Sequence, residues 1–158
     1  MIEYEDNFDV EKKDLVKIID VNVYMTPPPY QIPVLQCELE DGRSFSLYQI
    51  PVDVMLGIIR LKGEDVYNER ETLFELITLF REDFNVIRNK IEMIVIDELD
   101  KETNLYNAKI IIRGDGYKIM KKMVPSHAIY LAYLLEIPMY VKKELVDQQE
   151  RQSENYSH

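Results

Sequence analysis

The chain has 158 residues, 46% of them hydrophobic and 10% aromatic, and its 29 acidic and 19 basic side chains give a formal net charge of −10. That is enough apolar material for one substantial core and one domain, while the charge excludes unspecific attraction to nucleic acid or anionic membranes, either of which needs a local patch of Lys and Arg. Cys37 is the only cysteine, which excludes an intrachain disulfide and a thiolate zinc cage and fits a reducing compartment.

Met1 to Asp6 is acidic where a secretory leader would be basic and then apolar, and no apolar run approaches membrane-spanning length. The expectation is a soluble, cytoplasmic protein with no membrane partner. Residues 1–14 read as an acidic, irregular extension, residues 15–147 as the folded domain, and residues 148–158 as part of a polar tail without apolar periodicity.

In chain order, Ile19, Val21 and Val23 alternate with polar neighbours as in a half-buried strand, until Thr26-Pro27-Pro28-Pro29 breaks the pairing. Leu35, Cys37 and Leu39 form the next inward face. Asp41-Gly42 supplies a hairpin turn, and Phe45, Leu47 and Gln49 begin the return strand. Pro51 opens a helix carrying Val54, Met55, Ile58, Ile59 and Leu61, which Gly63 ends. Arg70 to Glu82 reads as a second helix with Leu73, Leu76, Ile77 and Phe80 on one apolar stripe.

The order then repeats. Lys90 to Glu98, Leu105 to Arg113 and Tyr117 to Val124 read as strands, with turns at 100–104 and at Gly114-Asp115-Gly116. Pro125 and Ser126 start an apolar helix, with Ser126 as its expected cap, and Ile137 to Val141 is a short buried strand. The Asp-Gly turns begin at 41 and 115 and the helix-opening prolines lie at 51 and 125, each pair 74 apart. This predicts an α+β fold, a mixed and mainly antiparallel sheet packed against helices, with internal duplication of a strand–hairpin–helix unit. Asp53 and His127 fall at equivalent positions, each two residues past its proline.

The segment Pro125-Ser126-His127-Ala128-Ile129, with Leu131-Ala132 and then Pro138-Met139-Tyr140-Val141, resembles the closing motif of the bifunctional nuclease domain family, usually Arg-Pro-Ser-Asp-Ala-Ile and then Ala-Pro-Ile-Tyr-Val. The resemblance extends over most of residues 15–147. Tyr48, Ile50 and Asp53 fall where the family has Trp, Gly and Glu. Arg70 to Ile77 falls on Arg-Pro-Leu-Thr-His-Asp-Leu-Leu, with Phe74 in place of the His and Glu75 in place of the Asp. Val124 replaces the other Arg, and His127 replaces the closing motif's Asp.

The resemblance implies hydrolysis of phosphodiester bonds in RNA or single-stranded DNA. Such chemistry needs an activated nucleophile, charge stabilisation at phosphorus and a protonated leaving group, from clustered carboxylates with metal ions or from acid–base histidines with a cationic clamp. The acids that fit are Asp53 and Glu75, with His127 as base or third ligand, Arg70 as phosphate clamp, and magnesium or manganese as the metal a nuclease would use. Lys118, Lys121 and Lys122 form the only basic concentration with neighbours at Arg113 and Lys142-Lys143, and would be the nucleic-acid contact.

Each residue also has a plain structural reading. Asp53 complements the positive end of a helix dipole; His127 is a structural hydrogen-bonding residue of a first helical turn; Glu75 is a solvated helix residue; the lysines are a solvated strand face. Asp97, Glu98, Asp100 and Glu102 read as a solvated turn. The loss of family polar residues at Phe74, Val124 and His127 points to the alternative, a non-catalytic binding or regulatory module that forms a homo-oligomer.

Overall fold

Alternation between Leu15 and Met25 produces the first strand, β1 (Leu15–Met25), whose Val16, Ile18 and Val21 turn inward. The computed structural model describes residues 12–64 and 69–156; the stretch before residue 12, and His158, lie outside the described residues. A bulge between Ile18 and Asp20 shifts the register of β1, so Ile19 is exposed although its spacing from Val21 and Val23 predicts an inward side chain.

β2 (Pro33–Leu39) and β3 (Ser44–Tyr48) form the expected hairpin, with Leu35 opposite Leu47 and Cys37 opposite Phe45. Burial pushes the Cys37 thiol far above its ordinary pKa, which leaves it a small inert core side chain. Gln49 lies past the strand end at φ +55°. The helix α1 (Val52–Leu61) follows, burying Val54, Met55 and Ile58, and Gly63 takes up the left-handed turn that ends it.

The second half repeats the order as β4 (Ile91–Asp100), β5 (Leu105–Gly114), β6 (Tyr117–Met123) and α4 (Pro125–Leu135), before β7 (Met139–Lys142) and α5 (Lys143–Tyr156). All seven strands form one sheet in the order β3-β2-β1-β7-β4-β5-β6. β7 joins the two meanders, antiparallel to β1 and parallel to β4. The expected duplication is not shown: Gly42 and Gly116 both take positive φ in their turns, but Pro51 caps α1 from outside whereas Pro125 lies inside α4, and Val21 faces Cys37 whereas Val95 faces Lys109 and not Ile111.

A flat sheet would separate β3 from β5 by five strand spacings, about 24 Å. Yet the Phe45 and Tyr106 rings meet edge to face at 5.0 Å. The sheet therefore curls around its inner face, where Val21, Leu35, Phe45, Ile94, Ile96 and Val141 meet Ile58 and Ile129 from the helices.

Ser126 does not cap α4: Val124 is the N-cap, Pro125 takes the first helical position, which needs no N–H donor, and Ser126 is buried within the first turn. The polar tail, which shows no apolar periodicity, is helical as far as residue 156 and forms most of α5. Gln149 receives the Ser46 N–H at 2.7 Å and donates to the Ser46 carbonyl at 2.9 Å, so its amide closes the β3 edge as a neighbouring strand would. Arg43 ties the β2–β3 turn to the same helix through Asp147 at 2.6 Å and Glu150 at 3.0 Å, and binds Asp41 at 2.8 Å.

These pairs are solvent-exposed, so Arg43→Ala is expected to cost only about 0.5–1 kcal/mol. Its clearer effect would be faster amide exchange in the last two turns of α5, measured against unchanged exchange in α4. Arg43 also holds the Asp41 carboxyl below its ordinary pKa, chiefly by its side-chain hydrogen bond. That contribution is present above about pH 4, the unfolded value, and is lost as pH falls through the folded one.

Candidate functional site

Asp53, Glu75 and His127 lie on three helices that pack together: α1, a third helix, α2 (Leu73–Leu79), and α4. Asp53, Gly57 and Arg60 share one face of α1 at helical spacing. Gly57 makes the approach possible: a Cβ there would stand 2.8 Å from Phe74 Cβ and 2.9 Å from Tyr130 Cε2. Phe74 then packs against both α4 side chains, with ring centroids 5.1 Å from His127 and 5.0 Å from Tyr130. The Tyr130 hydroxyl donates to the Phe74 carbonyl and lies 2.8 Å from Thr78 Oγ1. Burial raises the Tyr130 pKa, with the Thr78 bond opposing, so the phenol stays a protonated donor at neutral pH.

Glu75 is not the solvated helix residue that its position suggests. It is fully buried, its Oε2 lies 2.9 Å from Arg60 Nε, and its Oε1 receives the Thr72 N–H at 3.3 Å. Thr72 in turn accepts from the Glu75 N–H, completing a reciprocal capping box at the start of α2. Arg60 also binds Glu71 at 3.1 Å.

This pairing rotates α2 away from the orientation its apolar stripe predicts. Phe74 and Glu75 face inward, while Leu73, Leu76, Leu79 and Phe80 are left exposed. Beyond Leu79 the chain continues as a 3₁₀ turn, Arg81–Phe84, and the short helix α3 (Asn85–Arg88), where the sequence predicts continuous helix to Glu82. Arg81 and Arg88 donate to the Leu134 and Leu135 carbonyls and clasp Glu136, closing the α4 C-terminus.

Asp53 is half-buried in the first turn of α1, its Oδ1 accepting the Val54 N–H at 3.0 Å. His127 is half-buried in the first turn of α4, and Arg70 is exposed. The cation at Glu75 is Arg60, which sequence reasoning missed; its alignment with Asp53 and Gly57 on α1 was the available signal.

Lys118, Lys121 and Lys122 lie on β6, at the far edge of the sheet. Lys122 pairs with Glu98 at 3.1 Å, and beside it Lys109 pairs with Asp97 at 2.9 Å and Arg113 with Glu92 at 3.1 Å. The acidic run at 97–102 is thus partly consumed by ion pairs, and Asp97 is nearly buried.

Among the described residues, no group of three or more His, Cys, Asp or Glu side chains could hold a metal ion. The donor set Asp53, Glu75 and His127 does not fit magnesium or manganese, since both Glu75 oxygens are already turned to Arg60 and Thr72.

The model of the bifunctional nuclease domain matches residues 58–154, more than half of the chain. The chain belongs to the bifunctional nuclease domain family. The matched span includes Arg70, Glu75, the β6 lysines and His127, and begins after Asp53. Comparison with curated proteins finds no match. Among the described residues no helix is long and apolar enough to cross a membrane.

Proposed function

We propose that this chain is a non-hydrolytic member of the bifunctional nuclease domain family, a cytoplasmic binding and assembly module that keeps the scaffold. The state of Glu75 carries this reading. A carboxylate that holds a metal ion or moves a proton needs an oxygen open to substrate, and this one is buried between Arg60 and Thr72. Phe74 supports the same reading, because it packs on His127 where the family pattern has a polar residue. The apolar surface outside the core favours a protein partner: Leu73, Leu76, Leu79, Phe80, Val86 and Ile87 are all exposed within a short stretch.

The test is cleavage of labelled single-stranded RNA and DNA by the purified chain, with magnesium, with manganese and with chelator. The expected result is no turnover above that of the Asp53→Ala/His127→Ala double variant. Turnover lost in either single variant at unchanged Tm would overturn the reading.

The second reading is the family's own activity, an altered nuclease acting on RNA or single-stranded DNA. It is favoured by the family match and by the half-exposed Asp53 and His127, in the first turns of two helices that meet at Gly57 and Tyr130. There Asp53 and His127 would exchange the protons, and Arg70, Lys118, Lys121 and Lys122 would hold phosphates. The same assay decides between the two.

A further inference from the structure

The two edges of the sheet are treated differently. Gln149 closes β3, but among the described residues no backbone hydrogen bond from outside the β5–β6 pair reaches β6. The β5–β6 turn is a two-residue hairpin, with Gly114 opposite Tyr117. Hydrogen-bonded pairs then alternate from that turn, which leaves the N–H and C=O of Lys118, Met120 and Lys122 pointing out from the sheet. The two faces of this edge differ in chemistry. Lys118, Met120 and Lys122 lie on the face of Lys109, and Tyr117, Ile119, Lys121 and Met123 lie on the inner face.

An open edge of this kind accepts an added strand, and its lysines set which one. A second β6 would place lysine against lysine. An acidic segment with period-two apolar residues meets both faces. The first eleven residues of this chain have that pattern: five acids and no base, with Ile2, Tyr4, Phe8 and Val10 alternating against Glu3, Glu5, Asp9 and Glu11.

One antiparallel register matches every position of β6. Asp9 lies opposite Lys118, Asp6 opposite Lys121 and Glu5 opposite Lys122; Val10 meets Tyr117, Phe8 meets Ile119, Tyr4 meets Met123, and Asn7 meets Met120. Its single acid among the apolar positions, Asp6, falls on the single lysine of the inner face.

We propose that the acidic N-terminal segment of a second copy adds to the β6 edge as an antiparallel strand in this register. The chain's own segment does not reach. Through the successive pairings of the sheet, Val16 on β1 stands level with Met123 on β6. Tyr117 lies six residues further along β6 than that level, about 20 Å, so pairing Val10 with it would use nearly all of the roughly 21 Å that six residues can span before any of the distance across to the far edge is covered. The link is therefore between copies, head to tail.

This names the partner in the assembly reading and rests on that part of it alone. A protein that hydrolyses nucleic acid and still associates through β6 would sink the non-hydrolytic claim and leave this one standing.

The test uses the full chain, with sedimentation for mass and hydrogen exchange for the edge amides. The native chain is expected to associate with rising concentration, with protected amides at Lys118, Met120 and Lys122. Asp6→Lys and Lys121→Asp should each weaken association about tenfold, by turning an attractive cross-strand pair repulsive. Combining the two should restore it, a recovery that a nonspecific charge effect would not produce. A monomer at all concentrations, association indifferent to these variants, failed restoration in the double variant, or edge amides protected only when single-stranded RNA is added would each overturn the proposal.

Discussion

Glu75→Ala is expected to lower the unfolding free energy by about 2–4 kcal/mol, near the top of the range for a single substitution. Two losses combine. The Glu75 half of the capping box goes, its bond to the Thr72 N–H, worth about 0.5–1 kcal/mol, while Thr72 keeps its bond to the backbone N–H of residue 75. Arg60 loses its partner on the buried side of its guanidinium, although its side chain keeps 26% exposure and the Glu71 pair, which softens the penalty below that of a wholly buried charge. Glu75→Gln keeps an amide oxygen for the Thr72 N–H and should cost about half as much. Replacing both partners, Arg60→Met with Glu75→Leu, should recover most of the loss, because apolar groups of similar volume need no desolvation. Denaturant unfolding of the native chain, Arg60→Met, Glu75→Leu and the double variant completes the cycle. A cost below about 1 kcal/mol for Glu75→Ala would mean that the carboxylate is readily replaced by water. That outcome would also remove the main support for the non-hydrolytic reading.

The sheet and two of its helices were legible because their signals are local. Asp41-Gly42 and Asp115-Gly116 are turn chemistry, Leu35, Cys37 and Leu39 alternate on one face, and Pro51 and Pro125 mark helix starts. The orientation of α2 was not legible, because its four exposed apolar residues form a better core stripe than the face that is buried. What decides the matter is a carboxylate finding Arg60 on another helix, together with Phe74 filling the space that Gly57 leaves. Neither partner is near Glu75 in sequence. The same holds for α5, whose contact with Ser46 joins residues 103 apart and leaves no periodicity to read. The bulge that exposes Ile19 is equally silent, since one unpaired residue changes the face without changing composition. The candidate acids were found by type and position, and it is their environment, buried for Glu75 and half-open for Asp53, that the sequence withheld.

Gly57→Leu is expected to be at least as damaging, with a loss of about 3 kcal/mol or more, and Gly57→Ala is the informative smaller step. In a helix interior, Ala for Gly normally gains up to about 1 kcal/mol. Here the new methyl would stand 2.8 Å from Phe74 Cβ and 2.9 Å from the Tyr130 ring. Neither neighbour can swing away cheaply. Phe74 Cβ moves only with the α2 backbone, and the Tyr130 ring is pinned through its hydroxyl to the Phe74 carbonyl and Thr78. Overpacking of this kind costs about 1–3 kcal/mol, so it should exceed the propensity gain and leave Gly57→Ala destabilised by about 1 kcal/mol, against a clear gain if the contact were open. Tyr130→Phe in the Gly57→Ala background separates the terms, because releasing the hydroxyl lets the ring tilt and should recover part of the overpacking cost. Should Gly57→Ala instead raise stability by the full helical increment, the tight meeting of α1, α2 and α4 would be refuted. With it would fall the geometry that sets Phe74 on His127 and turns Glu75 toward Arg60, and the half-exposed Asp53 and His127 would again be free to share a site.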